Sequence, residues 1–183
     1  MKHLSKLSED KTFSTEYPSR IVLIGFAACY KTSVGKLLAD MLGCEFLDTD
    51  AEIERRCNSS VQQIFETQGE EYFRTMENEL LTTLKANSVV ACGGGSVLAP
   101  NFEKLACNSV VICLTATAET VCSRLGTVAR PLFDGLTVDQ LQGYMSRRAS
   151  LYAKFAHLTF PTDGKTPEQV AEQIYAALKY RGN

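Results

Sequence analysis

Residues Ile21 to Gly35 read IVLIGFAACYKTSVG, and this stretch decides the fold. The run Ile21-Val22-Leu23-Ile24 is apolar without alternation, which predicts a strand buried on both faces. Gly25 ends it. From Lys31-Thr32 onward apolar residues recur at helical spacing, at Val34, Leu37, Leu38, Met41 and Leu42, until Gly43 supplies a stop. Strand, loop and helix in this order follow the phosphate-binding pattern G-x-x-x-x-G-K-[ST]. In that pattern backbone N–H groups cradle phosphates, the lysine reaches their outer oxygens and the hydroxyl holds a divalent metal ion. Gly25, Lys31 and Thr32 fit, but Tyr30 stands where the second glycine belongs. The pattern wants no side chain there, because the loop needs an unusual φ or because backbone approaches phosphate closely. Tyr30 therefore either blocks the site or turns its ring outward.

The rest of the composition narrows the function classes. With 183 residues, 45% hydrophobic and 22% charged, the chain reads as one soluble globular domain. A formal net charge of -2 leaves no basic footprint, so neither nucleic acid nor an anionic membrane is the expected partner. Seven cysteines stand singly at 29, 44, 57, 92, 107, 113 and 122, an odd number without C-x-x-C pairs. That argues against a disulfide framework or a zinc site and fits a reducing, cytoplasmic setting. Cys29 lies in the phosphate loop, where it is either a tolerated small residue or an exposed, activated thiol. His3 and His157 sit in no motif, which disfavours histidine-based nucleophilic or zinc chemistry. No apolar stretch reaches transmembrane length, and no apolar signal-peptide core opens the chain. Residues 1–19 are polar and are expected to be a mobile extension without chemistry, ahead of a single domain over 20–183.

Strand and helix signals alternate along that domain. Glu45-Phe46-Leu47 predicts a second strand that delivers Asp48 and Asp50 at its C-terminal end. Ser60-x-x-Gln63 is a capping box for a helix expected to end at Gly69, and the next helix carries Phe73, Met76, Leu80 and Leu84 on one face. Ser88 to Cys92 predicts a strand running into Gly93-Gly94-Gly95, and Val110 to Leu114 another, followed by a helix to Leu125. Gly126, Pro131 and Gly135 break the pattern and predict a loop containing Arg130. Thr137-x-x-Gln140 opens a long helix to Ala156, His157 to Phe160 is a fifth strand, and Thr166-Pro167-Glu168-Gln169 starts the last helix. Alternation of this kind predicts an α/β fold with a parallel sheet covered on both faces. Ligands of such folds bind beyond the strands' C-terminal ends, so the loop at 25–32, the carboxylates at 48 and 50 and the glycines at 93–95 are expected to converge.

Five stretches in register resemble the shikimate kinase family over residues 20–178. They are F-L-D-T-D at 46–50, G-E-E-Y-F-R-x-x-E at 69–77, G-G-G at 93–95, R-P-L at 130–132 and R-A-S-L-Y at 148–152. The resemblance implies a P-loop NTPase fold of the nucleoside monophosphate kinase kind: three α/β/α layers, a five-stranded parallel sheet, a substrate-binding region over about 50–80 and a mobile lid over about 126–136. It also implies transfer of the γ-phosphoryl group of ATP to the 3-hydroxyl of shikimate with Mg²⁺, by a monomer of aromatic amino-acid biosynthesis. Arg74 and Arg148 match the clamp on the substrate carboxylate, with Glu77 orienting Arg74. Asp50 matches the carboxylate that holds the substrate hydroxyls and accepts a proton, and Gly93, Gly94 and Gly95 match the backbone against the substrate ring. Thr32 and Asp48 match the metal-side ligands. Gly25, Ala28, Cys29, Tyr30, Lys31 and Thr32 form the matching phosphate loop, Arg130 the catalytic lid arginine, and Arg124 and Pro167 the flanks of adenine.

The family's loop commonly reads G-x-x-G-x-G-K-[ST], so Ala28 and Tyr30 both replace glycines. Ordinary readings stand beside the functional ones: Arg74 and Arg148 as surface cations, Asp48 and Asp50 as a turn and helix cap, the three glycines as a tight turn. At the level of the whole chain the alternatives are a non-catalytic shikimate-binding protein of the same fold and a related small-molecule kinase such as a gluconate kinase.

Overall fold

A computed structural model describes residues 20–125 and 136–181. The expectations for residues 1–19, for Arg130 and for nearly all of the lid lie outside the described residues. Five parallel strands form one sheet in the order β2-β3-β1-β4-β5: β1 Arg20–Ile24, β2 Glu45–Asp48, β3 Ser88–Ala91, β4 Val110–Thr115 and β5 Leu158–Pro161. Helices α1 Lys31–Leu42, α2 Thr49–Cys57, α3 Val61–Thr67, α4 Gly69–Thr82, α5 Phe102–Cys107, α6 Ala118–Leu125, α7 Val138–Phe155 and α8 Pro167–Arg181 connect and cover it. This is the expected α/β architecture.

The continuous apolar run of β1 has its physical reason in the strand's position. β1 is the central strand, and Ile21, Val22, Leu23 and Ile24 are all buried because helices cover both faces. From β1 the chain crosses to one side for β2 and β3, then to the other for β4 and β5. The change of direction opens a crevice at the C-terminal end of β1, where the phosphate loop starts.

Helix ends follow their sequence signals. Three capping boxes form, Ser60 with Gln63, Thr137 with Gln140 and Thr166 with Gln169, and Gly43 closes α1 in left-handed backbone at φ 66°. Three elements depart from expectation. Gly69 opens α4 rather than ending α3, and α4 stops at Thr82, so Leu84 packs into the core from beyond the helix. Helix α2 starts immediately after β2, since Asp48 is its N-cap and accepts from the backbone N–H groups of Asp50 and Ala51 at 3.0 and 3.2 Å. The segment after the glycine run, without long periodicity, forms a 3-10 turn at Ser96–Leu98 and the six-residue α5.

Candidate active site

The phosphate loop leaves β1 through Gly25 at φ 136°, and a Cβ there would collide with the carbonyl oxygen of Leu114. Only glycine fits. Further along, Ala28 and Tyr30 both hold left-handed backbone, at φ 59° and 64°. For residues with a Cβ this conformation costs about 1–2 kcal/mol each. An unusual φ is thus what the glycine pattern serves here. The Tyr30 ring does not turn out to solvent. It is half-buried and lies against the Arg124 guanidinium, 3.7 Å from ring centroid to Cζ. Cys29 is buried, and that burial pushes its thiol pKa up against the opposing pull of Lys31 and Arg124. That environment does not activate the thiol. Lys31 Nζ donates to the carbonyl oxygens of Gly25 and Phe26 at 2.9 and 2.8 Å, which arches its ammonium over the loop. The first turn of the 12-residue α1 opens directly behind, a favourable place for anionic oxygens.

At the loop's flank Thr32 Oγ1 donates to Asp48 Oδ2 at 2.6 Å, while the other Asp48 oxygen caps α2. The cap expected as an ordinary reading and the pairing with Thr32 coexist on one carboxylate. Two hard oxygen donors side by side, next to a phosphate loop, suit Mg²⁺, which takes few protein ligands and completes its shell with phosphate and water.

Beyond Asp48 the glycine run enters between carboxylates and arginines. The Gly93 N–H donates to Thr49 Oγ1 at 2.9 Å, and a Cβ on Gly93 would strike Asp50 Oδ1. A Cβ on Gly95 would lie 2.5 Å from Arg74 Nη1. Arg74 itself is held by Glu77 at 2.8 Å and by Glu70 at 3.0 and 3.2 Å. Burial works against its charge, but those carboxylates outweigh it and its pKa is raised. Glu77 is fully buried and also accepts from Ser96 Oγ at 2.5 Å. From α7, Arg148 Nη1 and Tyr152 Oη both donate to the Gly94 carbonyl, at 3.0 and 2.7 Å. Burial pushes the Tyr152 phenol pKa up to about 12 despite the pull of Arg148, so the group is a hydrogen-bond donor at neutral pH.

Loop, carboxylates and glycines therefore meet at one rim, with Arg74 beside Gly95 and Arg148 bonded to Gly94. Arg124 Nη2 donates to the Thr162 carbonyl at 2.8 Å, which places it at the β5–α8 junction that also carries Pro167, the first residue of α8. Thr49, Ser96, Tyr152 and Thr162 were not legible as site residues. Tyr152 carried one usable signal, since it stands one helical turn from Arg148 in R-A-S-L-Y.

A loop of the phosphate-binding pattern, a pair of hard oxygen donors and two arginines beside a glycine run, sharing one rim of a parallel sheet, put the protein among the P-loop kinases that use ATP on small molecules. The family model described as shikimate kinase matches residues 27–179. The shikimate kinase of Moorella thermoacetica is 41% identical over 166 residues, covering 88% of this chain and 95% of its own. That of Geobacter sulfurreducens is 42% identical over 171 residues, covering 89% and 94%. Among solved structures, shikimate kinase from Acinetobacter baumannii in complex with shikimate superposes with a TM-score of 0.82 at 36% identity, over 88% of this chain and 93% of that one. The chain belongs to the shikimate kinase family.

Proposed function

We propose that this chain, as a shikimate kinase, performs the transfer with the residues gathered at this rim. The substrate carboxylate lies between Arg74 and Arg148, since guanidinium forks suit a carboxylate and both are held against the glycine run. Asp50, beside Gly93, takes the 3-hydroxyl proton as the oxygen attacks the γ-phosphorus. The bond from γ-phosphorus to the β–γ bridging oxygen breaks, and ADP leaves. Lys31 and the N–H groups of the loop neutralise the charge on the transferring group. Arg130, from the R-P-L stretch, adds a further positive charge, and Arg124 and Pro167 flank the base. Thr32 and Asp48 hold Mg²⁺, which when bound supplies charge neutralisation at the phosphate oxygens.

The observation that carries this reading is Arg74, held by the buried Glu77 so that its guanidinium faces Gly95, next to Asp50 at Gly93. All seven cysteines are unpaired thiols, which supports a cytoplasmic setting. Among the described residues no helix is long and apolar enough to cross a membrane.

Coupled ADP release tests the proposal. With ATP and Mg²⁺, release is expected to depend on shikimate and to be lost when the methyl ester replaces the acid. Equal rates with and without shikimate, from protein that binds it, would favour the non-catalytic alternative.

A further inference from the structure

The strained phosphate loop needs support that a glycine loop does not. Glycine adopts left-handed backbone freely, whereas Ala28 and Tyr30 must be held there by their surroundings. The structure supplies one group that touches both. Arg124, in the last turn of α6, donates from Nη1 to the Ala28 carbonyl at 3.0 Å and lies 3.7 Å over the Tyr30 ring. The same guanidinium is anchored: Nη1 also donates to Thr162 Oγ1 at 2.9 Å, and Nη2 to the Thr162 carbonyl at 2.8 Å. Thr162 is fully buried, and its hydroxyl and N–H donate to the Thr115 carbonyl at 3.0 and 2.8 Å. A continuous chain of contacts thus runs from the end of β4 through Thr162 and Arg124 to the two loop residues with strained φ.

We infer that Arg124 is a strut for the phosphate loop. It is a positioning residue that fixes the loop in its phosphate-binding shape by bonding Ala28 and pressing on the Tyr30 ring, which replaces the conformational freedom of the missing glycines. Tyr30 is then neither an obstruction nor a neutral substitution. Its ring is the surface through which the strut acts, and its hydroxyl is dispensable. The inference rests on the reading of residues 25–32 as the ATP phosphate site. It assigns Arg124 a role at the phosphates that is separate from any contact with the base.

The probe is inorganic tripolyphosphate, which has neither base nor ribose, measured by competition with ATP and by calorimetry on the full chain. R124A and Y30L are each expected to weaken its binding by about tenfold or more, while Y30F, which keeps the ring, restores it. Shikimate binding, measured alongside, is expected to stay within about twofold and reports that each variant is folded. In the A28G/Y30G background, where the left-handed shape is intrinsically accessible, R124A is expected to cost tripolyphosphate less than about threefold. Four results would overturn the inference: R124A weakening ATP but not tripolyphosphate, the same R124A loss in both backgrounds, Y30G binding tripolyphosphate more tightly than the unsubstituted chain, or a chain that binds ATP but not tripolyphosphate. Failure of the kinase reading is distinguishable, since it appears as missing shikimate-dependent ADP release while the tripolyphosphate series keeps its pattern.

Discussion

Glu77 holds Arg74 from beneath: a fully buried carboxylate meets Nη1 at 2.8 Å, so the guanidinium is aimed before any substrate arrives. Losing Arg74 removes a charge-assisted contact worth about 1.5–3 kcal/mol, so R74A is expected to raise KM for shikimate by about tenfold to a hundredfold and to leave KM for ATP nearly unchanged. E77A removes the partner of a semi-buried cation and strands the Ser96 hydroxyl. It is expected to destabilise the fold by about 3 kcal/mol, read by urea unfolding.

Gly95 gives a sharper test of the same geometry. Its φ of -98° suits any residue, so alanine brings no backbone strain. The new Cβ would nonetheless sit 2.5 Å from Arg74 Nη1, the far end of a flexible side chain. G95A is therefore expected both to raise KM for shikimate and to destabilise the fold by about 3 kcal/mol, because the displaced guanidinium leaves the buried Glu77 carboxylate unpaired. Calorimetric shikimate titration beside thermal unfolding separates the two effects.

Asp50 is assigned the proton. D50N keeps the shape and removes the basic group, so kcat is expected to fall by about 10²- to 10⁴-fold with intact folding and ATP binding. Single-turnover quench-flow measures the step directly, and a kcat within a few fold of the unsubstituted chain would exclude Asp50 as the base.

Asp48 serves Thr32 and α2 with different oxygens, which makes its two roles separable. D48A is expected both to raise the Mg²⁺ concentration needed for half-maximal activity and to cost about 1 kcal/mol of stability through the lost cap. T32A is expected to share the first effect and not the second. Mg²⁺ titrations with thermal melts on both variants check this.

The Glu52 carboxylate has its pKa pulled down to about 2 by hydrogen bonds from Arg55 and Arg56. A depressed acid pKa stabilises the fold above the ordinary carboxylate range, and that share is lost as pH falls from about 4.5 towards 2. The pairs face solvent, so the share is below about 1 kcal/mol. E52Q is expected to lower Tm slightly at pH 7 in low salt, with the difference from the unsubstituted chain vanishing near pH 2.

The sheet was legible because its signals are local. An unbroken apolar run marks a central parallel strand, as at Ile21–Ile24, and capping boxes at Ser60 and Thr137 fix helix starts. Helix α2 was harder to read, because its start signals Asp48 and Asp50 also read as site carboxylates. Convergence of loop, carboxylates and glycines followed from the rule for strand ends. The supporting hydroxyls did not, since Thr49, Ser96 and Thr162 act across 44, 19 and 38 residues of sequence, and no local pattern encodes such pairings. Tyr30 was visible as a departure, but its meaning needed a ring contact with Arg124 that only the folded chain creates.

The central claim is tested most directly by following the reaction of the purified chain with ATP, Mg²⁺ and shikimate by phosphorus NMR. The account expects a new phosphate-ester signal that appears with ADP and couples to the proton on C3 of the shikimate ring. Protein that binds shikimate but yields no such ester, or one coupled to a different ring position, would contradict it.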